Sequence, residues 1–296
     1  MINYKSPARR AFIVFNSVFL CVSALVCILP FIHLLALSFS NASLVAAGKI
    51  TFFPMGFTTA AYDFAFRGGK FLAAISVSIQ RVMLGLVVNL LLIVLTAYPL
   101  SRPKEKFATR NIYMIFFITT MIIGGGLIPT YILVSDLKLL NSLWSLVLPG
   151  ALPVFSMIIM MNFIRGLPEE IEDAARIDGA GVFKVLFTIM LPLLTPAIAT
   201  VGLFSVVGHW NDWFSGLIYM QNSKLYPLQT YLQTMVRDFE LIMRMAQGDY
   251  AKLIALMNAR TGRAAQLFLG AIPILMVYPF IQKYFTTGLV LGSVKG

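Results

Sequence analysis

The sequence predicts an all-α polytopic membrane protein with about six transmembrane helices. Three observations point there. The 296 residues are 59% hydrophobic, with a mean hydropathy of +0.84, and only 12% are charged. Apolar runs recur at about the 20-residue length that crosses a bilayer. Charge collects in the short segments between those runs, basic in some and acidic in one.

The first run, Ala11 to about Leu37, follows Lys5, Arg9 and Arg10. It is too long for a signal peptide and lacks an A-x-A cleavage site, so it reads as a retained span with a cytoplasmic N-terminus. The polar stretch from Ser38 to Lys70 would then face outside. A second span covers about Phe71 to Ala97. Behind it Arg102, Lys104, Lys106 and Arg110 stand against Glu105 alone, the basic excess expected of a cytoplasmic loop. The third span, Ile112 to Leu133, contains Gly124-Gly125-Gly126 and Pro129. A membrane tolerates such a run where the backbone packs in protein or lines a cavity. After an outer turn, Asp136 to Ser142, the fourth span runs from Leu143 to Ile164 with Trp144 at its interface.

Residues 165–192 then carry Glu169, Glu170, Glu172, Asp173 and Asp178, five of the twelve acidic residues in the chain. Leu167-Pro168 opens a short helix, and Glu169 and Glu170 complement the positive end of its dipole. Ile171, Ala174, Ala175 and Ile177 fall on one side at helical spacing. Gly179 is suited to stop that helix with a positive φ. A second helix, about Ala180 to Met190, is ended by Pro192. Such an elbow, acidic at its start and small on one face, is shaped to enter a pocket on another protein. The fifth span, about Leu193 to Val207, rises to His209-Trp210-Asn211-Asp212-Trp213, where the tryptophans suit an interfacial belt. Residues 222–263 are polar and external, and the sixth span, Ala264 to Phe285, returns inward. Six crossings put both termini and the elbow on the same face.

The formal charge of +11 does not indicate nucleic acid, because the basic residues are scattered among apolar spans and form no stripe with interleaved aromatics. Membrane topology and anionic headgroups account for them. Cys21 and Cys27 lie six apart in one span, so no disulfide framework exists. His33 and His209 have no metal-ligand spacing. The phosphate-cradling pattern G-x-x-x-x-G-K-[S/T] is missing: Gly48-Lys49 has Ser43 where the first glycine should stand and Ile50 where the hydroxyl belongs. No catalytic residue, metal site or resident cofactor is therefore expected. Arg81, about ten residues into the second span, is costly there. Two readings are open: it snorkels or pairs with a backbone carbonyl, or it faces a wet cavity and meets an anionic substrate.

The run Glu172-Asp173-Ala174-Ala175-Arg176-Ile177-Asp178-Gly179-Ala180, with Phe187 and Leu191-Pro192 behind it, resembles the EAA loop of ABC-importer permeases. One departure is that Asp173 stands for the leading glutamate. Glu172 precedes it, and which carboxylate meets a partner's arginine stays open. Ala97-Tyr98-Pro99-Leu100-Ser101-Arg102 resembles the segment at this place in sugar-importer permeases. The C-terminus, Gln282 to Gly296, resembles that of the second permease in maltose-transporter-like carbohydrate importers. Pro273-Ile274-Leu275 and Tyr278-Pro279-Phe280 point toward aldouronate- and alginate-type systems.

The resemblance implies a type I ABC importer permease fold in a prokaryotic cytoplasmic membrane, with both termini cytoplasmic. Residues 1–70 would form the first span and an external segment, 71–285 the transmembrane domain with its elbow at 165–192, and 286–296 a cytoplasmic tail. It further implies a heterodimer with a homologous permease, two copies of an ABC ATPase subunit that carry ATP and Mg, and an extracytoplasmic solute-binding protein. The substrate would be an oligosaccharide, possible acidic cases being alginate or aldouronate. ATPase coupling would fall to Glu172, Asp173, Ala174, Ala175, Asp178, Gly179 and Ala180, with Lys295 and Gly296 of the tail touching the ATPase interface. The rival readings are a stand-alone secondary transporter for a small solute and a membrane scaffold without transport.

Overall fold

The computed structural model describes residues 7–67, 69–245 and 259–276, and no strand occurs among them. The chain divides into two compact units. One comprises residues 1–71 and 234–272, the other 72–233 and 273–296.

In the first unit, helix α1 (Pro7–Ser38) is continuous, and an 18-residue window of it reaches a mean hydropathy of 2.6. From Phe12 to Ile32 its large apolar side chains are exposed all round, as on a helix covered by lipid or by another membrane helix. Its end is buried: Ala36 and Leu37 pack with Val45, Ile50 and Ala264. Two short helices follow, α2 (Ala42–Ala46) and α3 (Ala60–Phe66). Asn41 caps α2 by accepting the Ser43 N–H at 3.0 Å. Ala61 and Ala65 of α3 pack on Ala265, which belongs to a helix over residues 259–276. The expected sixth span, Ala264 to Phe285, starts within that helix, and its remainder lies outside the described residues.

The second unit is organised around α4 (Lys70–Ser101), which with α1 makes up the continuous helices among the described residues long and apolar enough to span a membrane. Its buried residues recur every three or four positions: Ala74, Ser78, Arg81, Gly85, Asn89, Ile93 and Ala97. Ile79, Met83, Val87, Leu91 and Leu95 form the opposite, exposed apolar stripe. The buried face changes character along its length. The first part is polar, and Ser78, Arg81 and Asn89 all make hydrogen bonds, though Arg81 Nε has no partner among the described residues. Ser78 Oγ accepts the Leu228 N–H at 2.7 Å, and the Asn89 amide pairs with Ser205 Oγ at 3.1 Å. Gly85 lets the His209 ring approach so closely that a Cβ would collide with it. The second part is apolar, and Ile93, Val94, Ala97, Tyr98 and Leu100 build the main core there.

The third, fourth and fifth expected spans are bent, unlike single unbroken helices. Helices α5 (Arg110–Ile122) and α6 (Leu127–Asp136) meet at 109°, across the glycine run expected to weaken the third span. The fourth expected span is α7 (Leu143–Gly150) plus α8 (Val154–Arg165), bent by 56° where Pro149, Gly150 and Pro153 crowd together. The elbow comprises α9 (Glu170–Ile177) and α10 (Val182–Leu193), and α10 meets α11 (Thr195–Asn211) at 84°, between Pro192 and Pro196. Each break sits where proline removes a backbone donor or glycine weakens the helix. Pro192 lies inside the last turn of α10 and does not end it at Met190, and Val185–Met190 is π-helical. Helices α12 (Phe214–Tyr219) and α13 (Leu228–Met245) complete the described elements.

Candidate functional site: the elbow and its anchor on α4

Helix α9 starts at Glu170, two residues past the proline that leads into it, with Glu170, Glu172 and Asp173 in its first turn. Its end is a complete Schellman motif. Gly179 takes φ +78°, its N–H bonds the Arg176 carbonyl at 3.0 Å, and the Ala180 N–H bonds the Ala175 carbonyl at 3.0 Å. The turn expected at Gly179 is therefore where the chain reverses.

The phase of α9 divides the candidate coupling residues into two groups. Asp173, Ala174, Asp178 and Gly179 are exposed and Ala180 is partly so. Ile177, expected beside the small alanines, is 87% exposed, and Val182, Phe183 and Phe187 of the elbow are exposed as well. Glu172 and Ala175 face the other way and are buried within the chain. Ala175 enters the core with Val185, Leu186 and Met190 of α10, Met157, Met160 and Met161 of α8, and Ala97 and Tyr98 of α4. Lys295 and Gly296 lie outside the described residues.

Glu172 is 3% exposed, and both its oxygens are engaged. Oε1 accepts from the Tyr98 hydroxyl and lies 3.8 Å from Arg176. Oε2 pairs with Arg102 Nη1. The Arg102 guanidinium also lies over the Tyr98 ring, 4.2 Å from its centroid, a cation–π contact. Arg165, at the end of α8, donates to the Leu100 carbonyl at 3.2 Å and the Ser101 carbonyl at 3.4 Å. It thereby places positive charge at the negative end of α4. Outside this knot, Lys106 reaches Glu169 at 3.3 Å and Asp173 at 3.7 Å in a solvated pairing of little energetic weight. A cavity of about 350 Å³ opens beside the knot, with Arg102, Arg110, Arg165 and Glu172 in its wall.

Arg81 lies near the other end of α4 and is 2% exposed. Its guanidinium donates to Asp212 Oδ2, to the Asp212 carbonyl at 2.8 Å and to the Leu146 carbonyl at 3.3 Å. Asp212 Oδ1 in turn accepts the N–H groups of Phe214 and Ser215 at 3.0 and 3.1 Å, capping α12. Burial alone would raise the Asp212 carboxyl, but hydrogen bonds from Ser215 and Arg81 outweigh it and hold the group below the usual carboxylate range. The surroundings of Arg81 are thus carbonyls and a carboxylate of its own chain. Sequence reasoning gave Tyr98, Arg102, Arg165 and Asp212 no side-chain partners. The spacing of Ser78, Arg81, Gly85 and Asn89, a small or polar residue on every turn of one helix face, was the signal for a packed polar seam.

Long apolar helices, bent spans and an acidic, tightly capped elbow between the fourth and fifth spans are features of a membrane-embedded transport permease. No family model matches the chain. It is 38% identical over 280 residues to the polygalacturonan/rhamnogalacturonan transport system permease protein YtcP of Bacillus subtilis, a match covering 94% of this chain and 96% of that protein. Protein LplC of the same bacterium is 38% identical over 295 residues, 99% of this chain and 98% of that one. A crystal structure of a bacterial ABC transporter involved in import of the acidic polysaccharide alginate superposes with a TM-score of 0.84 at 28% identity, over 95% of this chain and 99% of that chain. The chain belongs to the family of carbohydrate ABC-importer permeases. It is a membrane-embedded transport subunit, and the relatives it matches are permeases, not enzymes.

Proposed function

We propose that this chain is the second permease subunit of an importer for an acidic oligosaccharide. The elbow is its coupling lever, and ATP with Mg²⁺ acts on the partner ATPase. One observation carries the coupling: the outward face of α9 and α10 combines Asp173 and Asp178 with the exposed apolar residues Ile177, Val182 and Phe183. An apolar patch rimmed by charge marks a protein-binding surface. In this reading the elbow and both termini face the cytoplasm, and a homologous permease completes the passage. Two ATPase copies each receive one coupling elbow, and an extracytoplasmic binding protein delivers the sugar. Polygalacturonan and alginate, in the names of the relatives, are both polyanionic sugars, which supports an acidic substrate.

The test is reconstitution of the chain with candidate permease, ATPase and binding-protein partners. ATP hydrolysis stimulated by binding protein loaded with oligogalacturonate or oligoalginate is the expected result. Uptake that survives ATP depletion and follows an ion gradient would instead make the chain a secondary transporter. ATPase binding without stimulated hydrolysis would make it a scaffold. A cysteine at Ala180 is expected to react only from the cytoplasmic side.

A further inference from the structure

The fold gives the two adjacent carboxylates of the elbow opposite surroundings. Asp173 is 57% exposed along its side chain, whereas that of Glu172 is 4% exposed. Each oxygen of Glu172 already has a partner on the last turn of α4 or just past it: the Tyr98 hydroxyl on one side, the Arg102 guanidinium on the other. Tyr98 and Arg102 stand four residues apart, the spacing that sets two side chains on one helix face. Their cation–π contact also holds them against each other. A carboxylate held this way is not free to receive an arginine from another protein, because turning outward would leave Arg102, whose side chain is only 13% exposed, without its counter-charge.

From this we infer that Glu172 is a positioning residue. It clamps α9 to the end of α4, so that a displacement of the elbow moves α4 with it and is not spent in rotating α9 about its own axis. The surrounding construction fits a rigid joint. Ala175, one turn further along α9, seats in the same core as Ala97 and Tyr98. Arg165 ties the end of α8 to the terminal carbonyls of α4. Three helices are therefore fastened at one point, with Glu172 as the only carboxylate among the described residues that ion-pairs with Arg102. The inference rests on the coupling reading of the elbow, but it assigns Glu172 to the chain's own interior and leaves partner recognition to the exposed face.

The experiment uses the full importer in proteoliposomes and follows ATPase co-purification, ATP hydrolysis, and sugar taken up per ATP hydrolysed. Glu172→Gln is expected to keep the ATPase bound while uptake per ATP falls about tenfold, within the usual range for coupling between two sites. Glu172→Arg and Arg102→Glu are each expected to be worse. Their combination, which restores an opposite-charge pair at the same place, is expected to recover most of the uptake per ATP. Arg102 belongs to this chain, so rescue by the swap is a readout that a direct Glu172–ATPase contact would not produce. An unchanged ratio in Glu172→Gln, or a folded double swap that stays as defective as Glu172→Arg, overturns the inference. Where Glu172→Arg alone does not fold, recovery of a folded, coupled protein in the double swap supports it equally. Asp173→Arg and Ile177→Glu serve as the separate arm. If these leave ATPase binding intact, the docking of the elbow fails, whatever Glu172 does.

Discussion

Replacing Arg81 by methionine is a sharp test of how the polar face of α4 is held. Methionine keeps much of the length of the side chain and removes its charge and donors. The substitution strands Asp212 Oδ2 and leaves the Asp212 and Leu146 carbonyls without their donor. Removing one partner of a buried ion pair costs about 3–5 kcal/mol. The Asp212 side chain is 30% exposed, so water can partly replace the guanidinium. A loss of about 3 kcal/mol, at the low end of that range, is therefore expected. Asp212→Asn keeps the oxygen that caps α12 and removes only the charge. Combined with Arg81→Met, it should cost less than the two single losses added, with a coupling of about 1–3 kcal/mol. The assay is chemical denaturation of the purified chain in detergent, with uptake by the assembled importer measured alongside. A variant at Arg81 that is as stable as the parent yet transports no acidic sugar would refute this reasoning and make the guanidinium a substrate contact.

Other consequences are simpler to state. Gly85→Ala places a methyl group in the His209 ring, so overpacking should lower stability by about 1–3 kcal/mol, read as reduced denaturant resistance. Gly179→Ala puts a side chain at φ +78° and should cost about 1–2 kcal/mol locally, seen as weaker ATPase co-purification with the spans still folded. Lys106→Ala, which removes only solvated pairs, should change stability by less than about 1 kcal/mol and leave uptake near normal.

Local chemistry was legible in the sequence, and long-range pairing was not. The elbow could be read because its determinants act within a few residues: acids at a helix start, a glycine at its end, prolines beyond. The weak points of the third and fourth spans were visible as glycine and proline clusters, but their bend angles depend on what packs around them. Which of Glu172 and Asp173 faces inward is set by the rotation of an eight-residue helix against Tyr98 and Arg102, about 70 residues earlier, and no local pattern encodes that phase. Arg81 stood out as a charge in an apolar run, yet its carboxylate lies 131 residues further along.

That separation bears on biogenesis. The chain emerges N-terminus first, and α4 is complete long before Asp212 exists. At about 5–20 residues per second, 131 residues take roughly 7–26 s to make. Through that interval the nascent helix carries an unneutralised guanidinium, a cost of about 2.5–3.5 kcal/mol that its many apolar residues and snorkelling offset until the later segment delivers its counter-charge.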